Sequence, residues 1–121
     1  MVTIDLSQLR AVFGSAADGL ISELLTSYLA EGRRDMAVLR LADGCADMQL
    51  LVRIVHNLKS SSATLGMEAF SALCREAEQH GRQGKREALQ GALPRLVGEF
   101  ELVLQEVEKL LQGMPPSGSG S

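Results

Sequence analysis

The sequence is poor in aromatic residues, with no tryptophan, one tyrosine and three phenylalanines among 121 residues. A chain of this length is long enough for one domain with a single core. Since 45% of its residues are hydrophobic, that core must be built from aliphatic side chains. Proline is also scarce, with three residues. This composition favours a helical bundle and argues against a β-sandwich.

The sequence has few cysteines. It shows no apolar run of membrane-spanning length and no pattern typical of a secretion signal. The two cysteines, Cys45 and Cys74, show neither a CxxC motif nor metal-ligand spacing. Isolated thiols of this kind are typical of a reducing compartment. The N-terminal sequence MVTIDLSQLR lacks the apolar region of a signal peptide, and no stretch approaches the length of a membrane span. We therefore expect a cytoplasmic protein without direct membrane contact.

An excess of positive charge is missing as well. Twelve basic and fifteen acidic side chains give a net charge of −3 and are interspersed along the chain. Because nucleic-acid binding requires a basic patch or stripe, this distribution argues against DNA or RNA as the main partner.

The apolar periodicity that is present predicts an all-α fold. It indicates an antiparallel four-helix bundle with a short extra N-terminal helix, formed by residues 1–112. The tail GMPPSGSGS, residues 113–121, is typical of a flexible linker or a tag remnant. Pro94 predicts a kink or a restart in the last helix. The predicted helices span residues 5–13, 16–41, 47–65, 68–80 and 85–111. Gly14 closes the first of these helices, and Asp47 caps the start of the third.

The third predicted helix ends in an unusual stretch rich in small polar residues, HNLKSSSATLG at residues 56–66, with Gly66 as its predicted C-cap. At about 100° per residue, His56 lies opposite the predicted core stripe and in the middle of the solvent face. Small or uncharged residues surround it where an exposed face more often carries long charged side chains. These neighbours are Gln49, Val52, Ser60 and Ala63, and the predicted core stripe is Leu51, Ile54, Leu58, Ser61 and Leu65.

A nearby cation and a possible carboxylate complete this region. Lys59 lies one turn after His56 and could neutralise an anion attached to the imidazole. Ser61 and Ser62 are expected to point inward and allow close packing. If the chain turns at Gly66, residues 77–79 lie level with His56, so Glu78 or Gln79 could contact the ring. From spacing alone, His56 is equally well an ordinary surface histidine, and Glu78 is better interpreted as an ordinary solvated acid.

These residues resemble a known family. The segment HNLKSSSATLGMEAFSALCREAE, residues 56–78, is similar to the signature of the histidine-containing phosphotransfer (HPt) domain. FGSAADGLISELLTSYLAEG resembles the second helix of the family, and LADGCADMQLLVRIVH resembles its turn and its approach to the histidine. The resemblance covers residues 5–111. Ser60 is the main departure, because many members have glycine there.

The resemblance implies a role for each matching residue. His56 would be phosphorylated, Lys59 would help hold the phosphoryl group, and Glu78 would orient the imidazole. Gly66 would shape the end of the helix. Together with Lys59, the docking surface for a partner would comprise Gln49, Val52, Ser60 and Ala63.

The resemblance also implies partners, namely receiver domains of response regulators or hybrid sensor kinases. The chain would accept a phosphoryl group from a receiver aspartate and pass it to another receiver. No phosphate-binding loop and no cluster of metal-binding carboxylates occurs, so we expect a carrier without ATP binding or autokinase activity. We expect no cofactor or metal on this chain, and Mg²⁺ on the partner receiver. The chain is expected to be a monomer.

Two alternatives remain at this point. The chain could be a helical adaptor that docks a partner through the Val52–Ala63 surface without phosphoryl transfer. It could also be a metal-binding bundle that uses His56 and His80, although these two histidines lack the i, i+4 spacing of a helical metal site.

Overall fold

The computed structural model describes residues 3–41 and 47–114, and within these ranges the chain is helical without strands. The four long helices α2 to α5 form a bundle, and the short helix α1 packs against α2. The all-α fold predicted from the sequence is confirmed. The elements are α1 (Ser7–Phe13), a 3-10 turn (Gly14–Ala16), α2 (Ala17–Leu41), α3 (Met48–Thr64), α4 (Glu68–Arg82) and α5 (Arg86–Gln112).

Three predictions fall wholly or partly outside the described ranges. The connection between the predicted helices at 16–41 and 47–65 is not described, and Cys45 lies within it. The linker expected at 113–121 is described only at its first two residues.

Two ion pairs show that α2 and α5 pack antiparallel. On α2 and α5, Arg33 pairs with Glu108, and Arg40 pairs with Glu101 at 3.0 Å. The two pairs run in opposite directions along the two helices, as antiparallel packing requires. All four side chains are about half exposed, so these ion pairs contribute little to the free energy of unfolding.

The core is mainly aliphatic and is centred on a small aromatic group. Phe100 of α5 stacks on Phe70 of α4 at 5.3 Å between ring centroids, and Tyr28 of α2 meets Phe100 edge-on at 6.3 Å. Along α5, apolar residues recur at steps of three and four, and those from Leu89 to Val107 are buried: Leu89, Leu93, Leu96, Phe100, Val103 and Val107. Pro94 is exposed and α5 continues through it, so the predicted restart does not occur.

The α3–α4 hairpin is held by a cap at its start and a glycine at its turn. The Asp47 carboxylate accepts a hydrogen bond from the backbone N–H of Gln49 at 2.9 Å, which confirms the predicted N-cap. Gly66 follows α3 with a φ of 74°, a left-handed conformation that favours glycine. A Cβ at Gly66 would lie 1.9 Å from the backbone oxygen of Asp5. The turn therefore requires glycine for conformation and for space.

The buried face of α3 is rotated from the predicted one. Val55 and Ser62 are fully buried, whereas Ser61 is exposed and donates its hydroxyl proton to the carbonyl of Asn57 at 2.9 Å. The prediction that Ser61 lies in the core is wrong. Ser62 points inward as predicted and shares a 2.9 Å hydrogen bond with the Tyr28 hydroxyl, which satisfies both buried groups. Because α3 packs closely on α4, its buried face turns toward α4.

Candidate functional site

His56 lies at the edge of the α3–α4 interface. Its side chain is 46% exposed, and Nδ1 lies 2.6 Å from Oε2 of Glu78 on α4. The prediction that His56 occupies the middle of the solvent face is therefore corrected by the rotation of α3. One side of the ring contacts protein and the remainder is open to solvent.

Glu78 is the carboxylate that faces the imidazole. Only 6% of its side chain is exposed, so the interpretation of Glu78 as an ordinary solvated acid is wrong. The neighbouring Gln79 is exposed. The hairpin register that placed residues 77–79 level with His56 is correct, and the structure distinguishes the two candidates in favour of Glu78.

Four N–H donors converge on the Glu78 carboxylate. The Lys59 ammonium donates to Oε1 at 2.7 Å, and the Arg82 guanidinium donates to Oε2 through Nε at 2.9 Å and Nη2 at 2.7 Å. Nδ1 of His56 supplies the fourth contact. Three of these donors contact Oε2 and one contacts Oε1, so both oxygens of the buried carboxylate have hydrogen-bond partners.

The electrostatic balance keeps Glu78 ionised. Burial is the largest single influence and raises the pKa of Glu78. The hydrogen bonds from Lys59, Arg82 and His56 together outweigh burial and lower this pKa from an ordinary 4.5 to about 2. Burial raises the pKa of the nearby Cys74 thiol to about 12, and the negative charge of Glu78 adds to this increase. Cys74 is consequently a packing residue and not a reactive thiol.

The ionised carboxylate determines the tautomer of neutral His56. An ionised carboxylate has no proton to donate, so Nδ1 must carry the proton in the 2.6 Å contact. The lone pair of the ring then lies on Nε2. The result is an oriented, half-exposed imidazole whose Nε2 lone pair is chemically able to attack an electrophile.

Stability should depend on pH through Glu78. Its pKa is lowered on folding, so its stabilising contribution is present above about pH 4.5 and is lost as the pH falls towards about 2. In urea unfolding, we expect the stability advantage of the wild type over Glu78→Gln to be complete at pH 6 and to shrink through this window. Glu101→Gln, which removes an exposed carboxylate, should show a much smaller change. If the stability difference between the wild type and Glu78→Gln did not depend on pH, the lowered pKa of Glu78 in the folded protein would be contradicted.

The other residues predicted for docking lie around this cluster. Ser60 and Ala63 are exposed on α3, and Val52 is half-buried. Gln49 and Val52 line a shallow pocket beside the cluster, together with Met48, Gly81 and Arg82. His80 is not part of this group, because its Nε2 lies 3.8 Å from Glu76 on its own helix. Among the described residues, no three His, Cys, Asp or Glu side chains converge as a metal site would require.

Two contributors to the site were missed by the sequence analysis. Arg82 follows Glu78 by four residues, so the i, i+4 pairing rule for helices could have identified it. Ser71 is buried and donates its hydroxyl proton to the Lys59 carbonyl at 2.8 Å, which ties α4 to the turn of α3 that carries the site. No local pattern identifies Ser71, since its partner lies twelve residues away and across the hairpin.

Fold and site together define a helical bundle that presents one oriented histidine. Comparison with known proteins gives the family. The family model described as "Hpt domain" matches residues 23–114. A search of curated proteins found no match. Among solved structures, the chain is similar to histidine-containing phosphotransfer protein B (HptB) from Pseudomonas aeruginosa PAO1. The TM-score is 0.75 and the identity 21%, over 93% of this chain and 96% of that one. At this identity, the likeness concerns the fold.

The chain belongs to the Hpt domain family. It is accordingly a histidine phosphotransfer module of a phosphorelay, and receiver domains are its kind of partner. In the described ranges, none of the helices combines the length and the apolar character that crossing a bilayer requires.

Proposed function

We propose that His56 carries the phosphoryl group, which it accepts from the aspartyl phosphate of one receiver domain and passes to the aspartate of another. The observation that carries this proposal is the 2.6 Å contact between Nδ1 of His56 and Oε2 of the ionised Glu78. This contact fixes the ring and leaves the lone pair on Nε2. The 46% exposure of the His56 side chain leaves the ring open to a partner's active site.

The proposed transfer is an in-line displacement at phosphorus. The Nε2 lone pair forms the new N–P bond while the bond from phosphorus to the aspartate oxygen breaks, and the electron pair leaves with the aspartate carboxylate. The imidazole becomes positively charged as it loses electron density to phosphorus. Glu78 stabilises that charge through the Nδ1 proton. Passing the group onward reverses these steps on a second receiver, so the chain itself is unchanged over a full cycle.

Lys59 is proposed to hold the phosphoryl group after transfer. It lies one helical turn from His56, and its ammonium group has three donors, of which one contacts Oε1 of Glu78. The ammonium group can turn from Oε1 to the phosphoryl oxygens. The exposed Ser60 and Ala63 leave room for a receiver to approach, and Gln49 and Val52 extend this docking surface. Gly66 shapes the turn that keeps α3 and α4 in register.

We further propose that the receiver supplies Mg²⁺ and most of the groups that stabilise the transferring phosphoryl, because such transfer depends mainly on positioning and charge neutralisation. The carrier is proposed to act as a monomer, since the bundle buries its own core. A reducing cytoplasmic setting suits the buried, free thiol of Cys74.

Incubation with a panel of radiolabelled, phosphorylated receiver domains tests the proposal. We expect transfer of label to the chain from its cognate receivers, and the bond formed should be labile in acid and stable in base. Absence of such label from every receiver in a broad panel would favour an adaptor without phosphoryl transfer.

Replacing Lys59 should affect the phosphorylated state more than the fold. A charge-assisted hydrogen bond contributes about 1.5–3 kcal/mol, so Lys59→Ala should slow transfer or shorten the phosphohistidine lifetime by roughly ten- to a hundredfold. Helical circular dichroism should be unchanged. Lys109→Ala, which removes an exposed lysine on α5, is the matched control and should behave as the wild type. Wild-type transfer and lifetime in Lys59→Ala would show that Lys59 has no part in the reaction.

A further inference from the structure

Two cations surround one carboxylate at the site. Lys59 and Arg82 both donate to Glu78, so the cluster has one positive charge in excess when His56 is neutral. A phosphoryl group on His56 would bring about two negative charges to the same place. One cation can therefore turn to the phosphoryl group while the other continues to neutralise Glu78.

The contacts of the two cations are unequal. Lys59 is on the same helix as His56, one turn away, and makes a single contact with Oε1. Arg82 is on the helix of Glu78 and places two donors on Oε2, the oxygen that also contacts Nδ1 of His56. Lys59 is thus suited to move toward the phosphoryl group, and Arg82 is suited to stay.

The backbone places Arg82 close to α3. At the preceding residue, Gly81, a Cβ would lie 2.3 Å from Cγ2 of Val52, so only glycine permits α4 to approach α3 this closely without a shift. Val52 lies one turn before His56. The close approach holds the end of α4, with Arg82, beside the part of α3 that presents the histidine.

We propose that Arg82 is a positioning residue for the phosphoryl transfer. It holds Oε2 of Glu78, so that the carboxylate stays ionised and aligned with Nδ1 of His56 when Lys59 leaves Oε1 for the phosphoryl group. This inference rests on the proposed function of His56. It assigns the two cations different tasks: Lys59 neutralises the phosphoryl group, and Arg82 preserves the orientation of the ring.

The orientation can be measured without phosphorylation, by ¹⁵N NMR of the imidazole nitrogens of His56 at neutral pH. Lys59→Ala imitates the departure of Lys59, and we expect it to retain the Nδ1–H tautomer because Arg82 remains. The double variant Lys59→Ala/Arg82→Gln leaves the buried carboxylate without either cation. Burial then favours the protonated carboxyl, which can donate to Nδ1, so we expect the fixed Nδ1–H tautomer to give way to a tautomer mixture.

The matched control combines Lys59→Ala with Arg33→Gln, which removes an exposed arginine between α2 and α5. It should retain the tautomer, and circular dichroism should show all these variants folded. Loss of the tautomer in Lys59→Ala alone would overturn the proposal, as would retention of the tautomer in Lys59→Ala/Arg82→Gln.

Transfer kinetics provide a second measurement. Loss of a charged hydrogen-bonding partner should slow phosphoryl acceptance by Arg82→Gln about tenfold. Arg82→Lys should restore part of the rate, because it returns the charge without the paired donors. Acceptance by Arg82→Gln at the rate of Arg33→Gln would overturn the positioning role. If the wild type accepted no phosphoryl group, the proposed function would fail, whereas the NMR measurement would still decide whether Arg82 positions the ring.

Discussion

His56→Gln should abolish phosphoryl acceptance while leaving the fold intact. Glutamine has no nucleophilic nitrogen, so the N–P bond cannot form and no base-stable label should appear on the chain. Its amide can still donate a hydrogen bond to Glu78, and the side chain it replaces is 46% exposed. We therefore expect a stability change within about 1 kcal/mol. Transfer assays and thermal melts of the same preparation measure both effects.

His80→Gln is the matched control for this prediction. His80 lies on α4 beside Glu76 and outside the His56 cluster. Acceptance by His80→Gln should equal that of the wild type. If His80→Gln lost acceptance and His56→Gln kept it, the site would be misassigned. A large drop in the melting temperature of His56→Gln would instead mean that the imidazole is needed for packing.

Gly66→Ala should cause the largest loss of stability among glycine-to-alanine substitutions in the described ranges. At a φ of 74°, a non-glycine residue costs about 1–2 kcal/mol. The added Cβ would also lie 1.9 Å from the Asp5 backbone oxygen, so the N-terminal segment must move, at a cost of about 1–3 kcal/mol. We expect the melting temperature to fall by about 10 °C or more.

Substitutions at two other glycines distinguish the conformational cost from the steric cost. Gly84 has a φ of 71° and nothing near its Cβ position, so Gly84→Ala should show the conformational cost alone. Gly98 lies within α5 with an open Cβ position, and Gly98→Ala should be slightly stabilising because alanine favours helix. The expected order of stability is Gly98→Ala above wild type, then Gly84→Ala, then Gly66→Ala. A Gly66→Ala variant as stable as Gly84→Ala would contradict the packing of Asp5 on this turn.

Helical periodicity and turn residues were enough to predict the bundle. The Asp47 cap and the buried stripe of α5 are local features, since each depends on residues within a few turns of one another. The face of α3 was predicted less well. Ser61 and Ser62 are adjacent polar residues, and only the close packing of α4 decides that Ser62 is buried against Tyr28 while Ser61 is exposed.

The candidate site was predicted only in part, again because the packing of one helix on another decides features that local patterns do not show. The spacing of His56 and Lys59, and the hairpin register of Glu78, follow from helix geometry. The burial and ionisation of Glu78 do not, because they depend on cations contributed by two different helices. Arg82 lies outside the segment that resembles the family signature, so the resemblance gave no reason to select it. Its i, i+4 spacing from Glu78 was the available signal.

The most direct test of the account is to locate the phosphoryl group on the chain. After transfer from a cognate phosphorylated receiver, ³¹P–¹⁵N NMR on selectively labelled histidine, combined with peptide mapping, identifies both the residue and the nitrogen. The account predicts a phosphoramidate on Nε2 of His56, with Nδ1 still protonated beside Glu78. A phosphoryl group on Nδ1 of His56, or on His80, would contradict it.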